Sequence, residues 1–207
     1  MEKNNYPGKF IVVEGPDGSG QTTQVARLKE LFEDKGYEVV TTKEPTVVSE
    51  AGKKIKKILE EKIETDPAEF QKLYVQDRRE HLNNLIIPAL KEGKVVISDR
   101  YFFSTFAFGT AHGADLDMLI KMNDEFLYPD LTFLLKVRPE VCIDRIEKRG
   151  DPKTLFEKQE QLSKVLNIYE KLPERFDDFY VIDGEKSIKE VSEEIKKVVL
   201  SKLLMEA

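Results

Sequence analysis

The sequence predicts an α/β protein in which helices cover both faces of a five-stranded parallel sheet, giving three layers. Short apolar runs alternate with longer segments of helical periodicity along the 207 residues, which is the pattern of strands joined by crossover helices. A run such as Phe10-Ile11-Val12-Val13 is apolar throughout, as expected for a strand buried on both faces. The predicted strands cover residues 10–13, 38–42, 95–97, 131–137 and 179–182.

Helix signals fill the segments between these strands. After the first strand, apolar residues recur at helical spacing as far as Phe32, and Gly36 is a stop signal. Asp66-Pro67 is a typical helix start, in which a capping residue is followed by proline. Because neither a repeat nor a linker interrupts the pattern, residues 1–207 are predicted to form a single domain. Further helices are predicted at 49–63, 67–91, 153–171 and 187–204, and from Arg138-Pro139-Glu140 onward.

Composition and charge exclude several classes of protein. The net charge of −6 argues against a broad nucleic-acid-binding surface, although a local cationic pocket for small anions is compatible with it. Cys142 is the single cysteine, which excludes an internal disulfide and a cysteine-based metal site. No apolar run reaches membrane length, and the first residues are too polar for a signal peptide. We therefore expect a cytoplasmic protein without a nucleic-acid or membrane partner.

A glycine-rich loop lies between the first predicted strand and the helix after it. Glycines let successive backbone N–H groups point inward, and the N-terminus of the next helix adds positive potential, so this loop is predicted to bind nucleotide phosphates. The Thr22 hydroxyl is placed to bind Mg²⁺. A strand-to-helix turn that merely contains glycines is the alternative, and the strand–loop–helix context disfavours it. The residues fit Gly-x-x-x-x-Gly-x-Thr and are Gly15, Pro16, Asp17, Gly18, Ser19, Gly20, Gln21 and Thr22.

Gln21 stands where such loops carry a lysine, whose charge lies between the β- and γ-phosphates. Glutamine can donate hydrogen bonds but is neutral. Removing one preorganised donor costs about 2.7–4 kcal/mol of transition-state stabilisation, so we expect weaker nucleotide binding and slow turnover. Three explanations stay open: a deliberate substitution, a natural one with another cation supplying the charge, or a protein that binds nucleotide without turning it over.

A second polar motif, Ser98-Asp99-Arg100-Tyr101, directly follows the third predicted strand. It is therefore expected at the same sheet edge as the glycine loop. Asp99 can hold a Mg²⁺ ion through water or position a hydroxyl group, and Arg100 can clamp a phosphate with two hydrogen bonds. Taken alone, an ion pair at a strand end explains the motif equally well.

The two motifs together resemble the thymidylate kinase family of P-loop nucleoside monophosphate kinases, which phosphorylate dTMP with ATP. Residues 10–24 are similar to the family pattern F-I-x-x-E-G-x-D-G-x-G-K-T-T-Q, with Gln21 in place of the lysine. Tyr74 lies four positions before Arg78, as an aromatic residue does before an arginine in the family. The family pattern D-R-Y-x-x-S-x-x-A-Y/F is matched by Asp99, Arg100, Tyr101, Ser104, Ala107 and Phe108.

The resemblance implies a role for each of these residues toward the acceptor nucleotide. Asp17 would accept a hydrogen bond from the sugar 3′-hydroxyl, and Arg100 would hold the 5′-phosphate. Tyr74 would stack on the base and Arg78 would donate to a base carbonyl, although an aromatic residue and an arginine one helical turn apart are usually a core residue and a solvated one. Tyr101 would pack against the deoxyribose. Ser104 and Phe108 would complete the acceptor pocket.

A basic segment around Gly150 resembles the lid of such kinases, which closes over the phosphates and excludes water. Arg145, Arg149 and Lys153 belong to it, and we place the lid at about 145–156. The alternative is a solvated basic end of a helix. Because the glycine loop contains no arginine, the resemblance implies that Arg149, and less surely Arg145 or Lys153, contacts the donor phosphates and replaces the missing lysine charge.

These observations lead to one main hypothesis and two alternatives. The main one is Mg²⁺-dependent phosphoryl transfer from ATP to dTMP, with Asp99, Arg100, Gln21 and Arg149 at the reacting groups. The first alternative is a nucleotide-binding protein with little turnover because of Gln21. The second is a kinase for another pyrimidine monophosphate, since Gly109 and Lys43 depart from common family residues near the acceptor. The family also implies a homodimer.

Overall fold

The structure is a computed structural model that describes residues 1–61, 63–150 and 159–204, with the exception of the Arg149 side chain. Its strands are β1 (Glu2–Lys3), β2 (Lys9–Glu14), β3 (Val39–Lys43), β4 (Val95–Asp99), β5 (Leu127–Tyr128), β6 (Leu131–Lys136) and β7 (Phe179–Asp183). Its α-helices are α1 (Gln21–Glu33), α2 (Glu50–Glu61), α3 (Pro67–His81), α4 (Ile87–Lys91), α5 (Phe102–Ala111), α6 (Leu116–Met122), α7 (Pro139–Arg149), α8 (Gln159–Tyr169) and α9 (Ile188–Lys202).

The described residues form the predicted five-stranded parallel sheet, in the order β3-β4-β2-β6-β7. Every neighbouring pair in this sheet is parallel, which confirms the predicted fold class. Val13 of β2 lies opposite Asp99 of β4, and Lys43 of β3 lies opposite the same aspartate. The register therefore brings the glycine loop and both neighbouring strand ends to one edge of the sheet.

Helices bury both faces of the sheet, as predicted. On one face, α5 contributes Phe102, Phe103 and Phe106, which are fully buried against Tyr169 of α8. On the other face, α1 and α9 pack against the sheet through the buried residues Leu28, Phe32, Ile195 and Val199. Ser187 and Glu190 form a capping box that fixes the start of α9.

Two helices, α5 and α6, and two short strands, β1 and β5, were not predicted from the sequence. Helix α5 is mostly apolar and mostly buried, with few polar positions, so its sequence shows no clear amphipathic period. Helix α6 is short, and β1 pairs with β5 in a separate two-stranded sheet. The predicted helix at 67–91 is confirmed in outline, but a π-helical turn at Leu82–Ile86 separates α3 from α4. Pro88 lies just after this turn and cannot donate a helical hydrogen bond, which gives a local reason for the irregularity.

The remaining helix and strand predictions agree with the structure to within a few residues at each end. For the predicted helix at 153–171, the structure describes the part from Gln159 onward. Half of the predicted lid, residues 151–156 including Lys153, lies outside the described residues, as does the Arg149 side chain. Among the helices that the structure describes, none has the length and apolar character needed to span a membrane.

Candidate active site

The glycine loop joins the end of β2 at Glu14 to the start of α1 at Gln21. Gly18 and Gly20 adopt φ angles of 85° and 100°, in the left-handed region that favours glycine. A Cβ atom on Gly18 would also lie 2.5 Å from the carbonyl oxygen of Cys142, so the loop packs directly against α7. The first backbone N–H groups of α1 have no partner within the helix, so the loop and this helix end form an anion site.

The Gln21 side chain is buried beneath the loop and uses both ends of its amide. Its nitrogen donates to the Gly15 carbonyl at 3.1 Å, and its oxygen accepts a hydrogen bond from Arg100 at 3.3 Å. In the described structure the amide thus ties the loop to the residue after β4. A lysine at this position would bring an ammonium group close to the Arg100 guanidinium instead.

Arg100 links the two predicted motifs. Its φ angle is 74°, a conformation that costs on the order of 1–3 kcal/mol for a residue other than glycine and is concentrated at functional sites. Its guanidinium donates to the Gly15 carbonyl at 2.8 Å, to the Asp17 carboxylate at 2.6 Å and to the Ser104 hydroxyl at 3.1 Å. Burial alone would lower the pKa of Arg100, but the surrounding anionic groups, Asp17 first, raise it above its ordinary value.

Thr22 and Asp99 present oxygen ligands of the kind that Mg²⁺ prefers. The Thr22 hydroxyl donates to one Asp99 carboxylate oxygen at 2.7 Å. The other oxygen, Oδ1, is buried and has no hydrogen-bond partner in the described structure, so it can accept a cation or its water. The Lys43 ammonium lies 3.5 Å from Asp99. The predicted metal residues are therefore adjacent, and their chemistry fits a Mg²⁺ ion whose other ligands are water and phosphate.

A cavity of about 250 Å³ opens beside the loop at the same sheet edge. All seven residues predicted to contact the acceptor line it, although the sequence separates them by up to 91 positions. They come from the glycine loop, α3, the end of β4 and α5, and are Asp17, Tyr74, Arg78, Arg100, Tyr101, Ser104 and Phe108. The Arg100 guanidinium lies 5.0 Å from the centre of the Phe108 ring, at cation–π distance. Their contacts with a ligand stay predictions.

Arg78 lines this cavity, is fully buried and is held by polar partners. It forms an ion pair with Glu44 at 2.8 Å and donates to Thr105 at 3.1 Å and to Asn123. The second Glu44 oxygen lies 3.0 Å from His81. The sequence interpretation gave Glu44 and His81 no role in the site, yet together they fix the orientation of the Arg78 guanidinium.

Glu14 is the most important residue that sequence reasoning missed. Its fully buried carboxylate accepts hydrogen bonds from the backbone N–H groups of Tyr101 and Ser104, from the Ser104 hydroxyl and from the Tyr169 hydroxyl, at 2.6–3.2 Å. Burial raises the pKa of Glu14, and this exceeds the opposing effects of Arg100 and the hydrogen bonds. A charged residue at the end of a strand buried on both faces was the available signal.

Arg145 of the predicted lid lies against the outer side of the glycine loop. It donates to the carbonyl oxygens of Ser19 and Gly184, at 3.3 Å and 3.0 Å. It is therefore next to the predicted phosphate site but is engaged with backbone. Lys153 and the Arg149 side chain lie outside the described residues.

A glycine-rich loop between a buried strand and a helix, a pair of oxygens suited to Mg²⁺ and an adjacent cavity joined to the loop by Arg100 are the features of a P-loop kinase. The family model for thymidylate kinase matches residues 13–195 of this chain. The chain belongs to the thymidylate kinase family.

Curated relatives agree with this assignment. The chain is 44% identical over 203 residues to a probable thymidylate kinase of Pyrococcus horikoshii, covering 95% of this chain and 98% of the relative. It is 41% identical over 193 residues to a probable thymidylate kinase of Archaeoglobus fulgidus, covering 93% and 95%. Its identity to a thymidylate kinase of Caldicellulosiruptor saccharolyticus is 36% over 198 residues, covering 93% and 96%.

The buried Glu14 carboxylate makes stability depend on pH in a predictable direction. The pKa of Glu14 in the folded protein lies above the ordinary 4.5, so the folded protein binds this proton more tightly than the unfolded chain does. The free energy of unfolding therefore decreases as pH rises through the raised pKa. We expect Glu14→Gln to remove this contribution. The free energy of unfolding is measured in urea from pH 5 to 8 for wild type and Glu14→Gln. As pH rises, the wild type should lose stability relative to the variant.

The exposed Glu64→Gln variant serves as the control and should follow the wild-type pH profile. Parallel profiles for wild type and Glu14→Gln would contradict the raised pKa.

Proposed function

We propose that this protein transfers the γ-phosphoryl group of ATP to dTMP, giving ADP and dTDP. The observation that carries the proposal is the junction at Arg100, where the phosphate-binding loop meets a cavity lined by Asp17 and two tyrosines. Family membership and the names of the curated relatives support dTMP as the acceptor.

In this proposal catalysis comes from positioning and charge, without a covalent intermediate. The loop N–H groups and the N-terminus of α1 bind the donor phosphates. Arg100 and Lys43 both line the cavity and would bind the acceptor phosphate. Thr22 and Asp99 would hold Mg²⁺, which neutralises charge on the transferred group. Arg149 and Arg145 are the proposed lid cations.

The deeper part of the cavity receives the nucleoside. Asp17 accepts from the sugar 3′-hydroxyl, and the ring of Tyr74 stacks on the base. Tyr101 presents only its ring to the sugar, because its hydroxyl donates to the Leu127 carbonyl at 3.0 Å. We infer that this buried ring packs where a ribose 2′-hydroxyl would lie and so favours deoxynucleotides.

An acceptor panel tests the proposed reaction. With ATP and Mg²⁺, ADP formation is measured for dTMP, dUMP, UMP and dCMP. We expect the highest kcat/KM for dTMP and a much lower value for UMP, which carries the 2′-hydroxyl. Failure of every acceptor to produce ADP would contradict the enzyme, and a preference for UMP would replace dTMP with another pyrimidine monophosphate.

The second candidate function is nucleotide binding with little turnover, and Gln21 is the observation that favours it. Replacing Gln21 with lysine should raise kcat for dTMP by about 10²–10³-fold, because it restores one preorganised charge at the phosphates. In the ligand-free protein, the same change removes the acceptor of an Arg100 hydrogen bond, so Tm should fall slightly.

Ala26→Lys is the matched control, because it adds the same charge to an exposed position of α1, and it should leave kcat unchanged. If Gln21→Lys binds ATP but gains no rate, the missing charge is supplied elsewhere, and Arg149 becomes the first residue to replace.

We also infer a homodimer in the cytoplasm, as the family resemblance implies. Val47, Val48 and Leu85 are exposed apolar side chains around one groove, and grouped apolar exposure is typical of an interface. Light scattering should give twice the chain mass of 23.9 kDa, and Val48→Asp should shift it toward the monomer. A monomeric wild-type protein at micromolar concentration would overturn this inference.

A further inference from the structure

Gln71 is a buried polar residue on the cavity wall for which neither the motifs nor the proposed catalytic residues account. It lies on α3 and is only 5% exposed. Its position is three residues before Tyr74 and seven before Arg78, so the three residues occupy one face of the helix. All three line the cavity. Gln71 therefore belongs to the part of the cavity where the base is proposed to bind.

The carbonyl oxygen of the Gln71 side chain has no hydrogen-bond partner in the described structure, although it is buried. An unsatisfied buried polar atom is destabilising, and such atoms are uncommon in native proteins. By contrast, the Gln21 amide, which is also buried, is bonded at both ends. Because this oxygen is closed off in the described orientation, the amide of Gln71 must turn it toward the cavity, where a bound ligand that donates a hydrogen bond would remove the deficit.

Gly109 of α5 makes room for this amide. A Cβ atom on Gly109 would lie 3.2 Å from the Gln71 amide carbon and 3.4 Å from its nitrogen, which is closer than ordinary packing. The Gln71 amide thus packs against the backbone of α5 at Gly109. A side chain at position 109 would occupy part of the space that the amide fills.

We propose that Gln71 is a specificity-determining residue that accepts a hydrogen bond from the ring N3–H of thymine or uracil. Arg78 can only donate, so it suits the neighbouring carbonyl oxygen O4. Together the two side chains present an acceptor and a donor, complementary to the keto pyrimidine edge. Cytosine carries an amino group in place of O4 and an unprotonated N3, so both contacts would be lost. This inference rests on the proposed pyrimidine acceptor.

Replacing Gln71 with methionine tests the inference while preserving side-chain length. Calorimetric affinities are measured for dTMP, dUMP and ATP, and the affinity for dCMP is measured by competition. We expect the affinities for dTMP and dUMP to fall by about tenfold to a hundredfold, as for loss of a hydrogen bond that leaves a buried donor unpaired. The affinity for dCMP should change little, so the dTMP/dCMP preference narrows. ATP affinity should be unchanged, which also shows that the variant is folded.

Gln76→Met is the matched control, because Gln76 is an exposed glutamine of the same helix, and it should bind all four nucleotides as wild type does. If Gln71→Met does not fold, Gln71→Asn, which withdraws the amide by one methylene, should show the same narrowed preference. A folded variant that keeps the wild-type dTMP affinity and dTMP/dCMP ratio would overturn the role of Gln71. A wild-type protein that binds ATP but no pyrimidine monophosphate would overturn the proposed function itself.

Discussion

The contact of Arg100 with the glycine loop is the interaction on which the candidate site depends. The Arg100 N–H donates to the Val13 carbonyl at 3.0 Å, extending the pairing of β4 with β2 beyond the strand end. Its side chain then returns to Gly15 and Asp17. The Ser98 hydroxyl bonds to the Arg100 carbonyl at 2.6 Å and helps to hold the left-handed backbone. Arg100 therefore touches the glycine loop and also lines the cavity, and the pairing of β4 with β2 fixes its backbone position.

Glu14 extends this constraint into α5. Its carboxylate accepts from N–H groups at the start of that helix, where a negative charge is favourable and free donors need partners. Ser104 stands between Glu14 and Arg100, donating to the first and accepting from the second. The buried negative charge and the buried positive charge are thus joined through a hydroxyl group. Removing either charge would leave the other uncompensated in a poorly solvated site, so the arrangement is coupled to the packing of α5 on the sheet.

The sequence patterns predicted the fold and the glycine loop, but not the hydrogen-bond network of buried side chains that supports them. Residues 10–13 and 95–97 are apolar because these strands are buried on both faces of the sheet. The strands could therefore be located in the sequence. Helix α5 was missed because a mostly buried, mostly apolar helix has no clear hydrophobic period. Glu14 and Glu44 were missed for a different reason: their partners lie 30 or more positions away, such as Arg78 for Glu44, and local spacing contains no record of such contacts. Side chains in the lid segment were predicted from the family resemblance and stay predictions.

The two buried glutamines of the site, Gln21 and Gln71, differ in their hydrogen bonds. We connect Gln21 with the rate of phosphoryl transfer and Gln71 with acceptor specificity. The Gln21 amide is hydrogen-bonded at both ends, to Gly15 and to Arg100, so it needs no ligand as a partner. It links parts of the protein at a position where such loops usually carry a charged lysine. The side-chain oxygen of Gln71 has no hydrogen-bond partner in the described structure, so we propose that a bound ligand supplies the donor. Under the proposed roles, Gln21 removes a positive charge from the site of the donor phosphates, whereas Asp17, Tyr74 and Arg78 still line the cavity. We therefore expect the proposed kinase to discriminate among acceptors even if its phosphoryl transfer is slow.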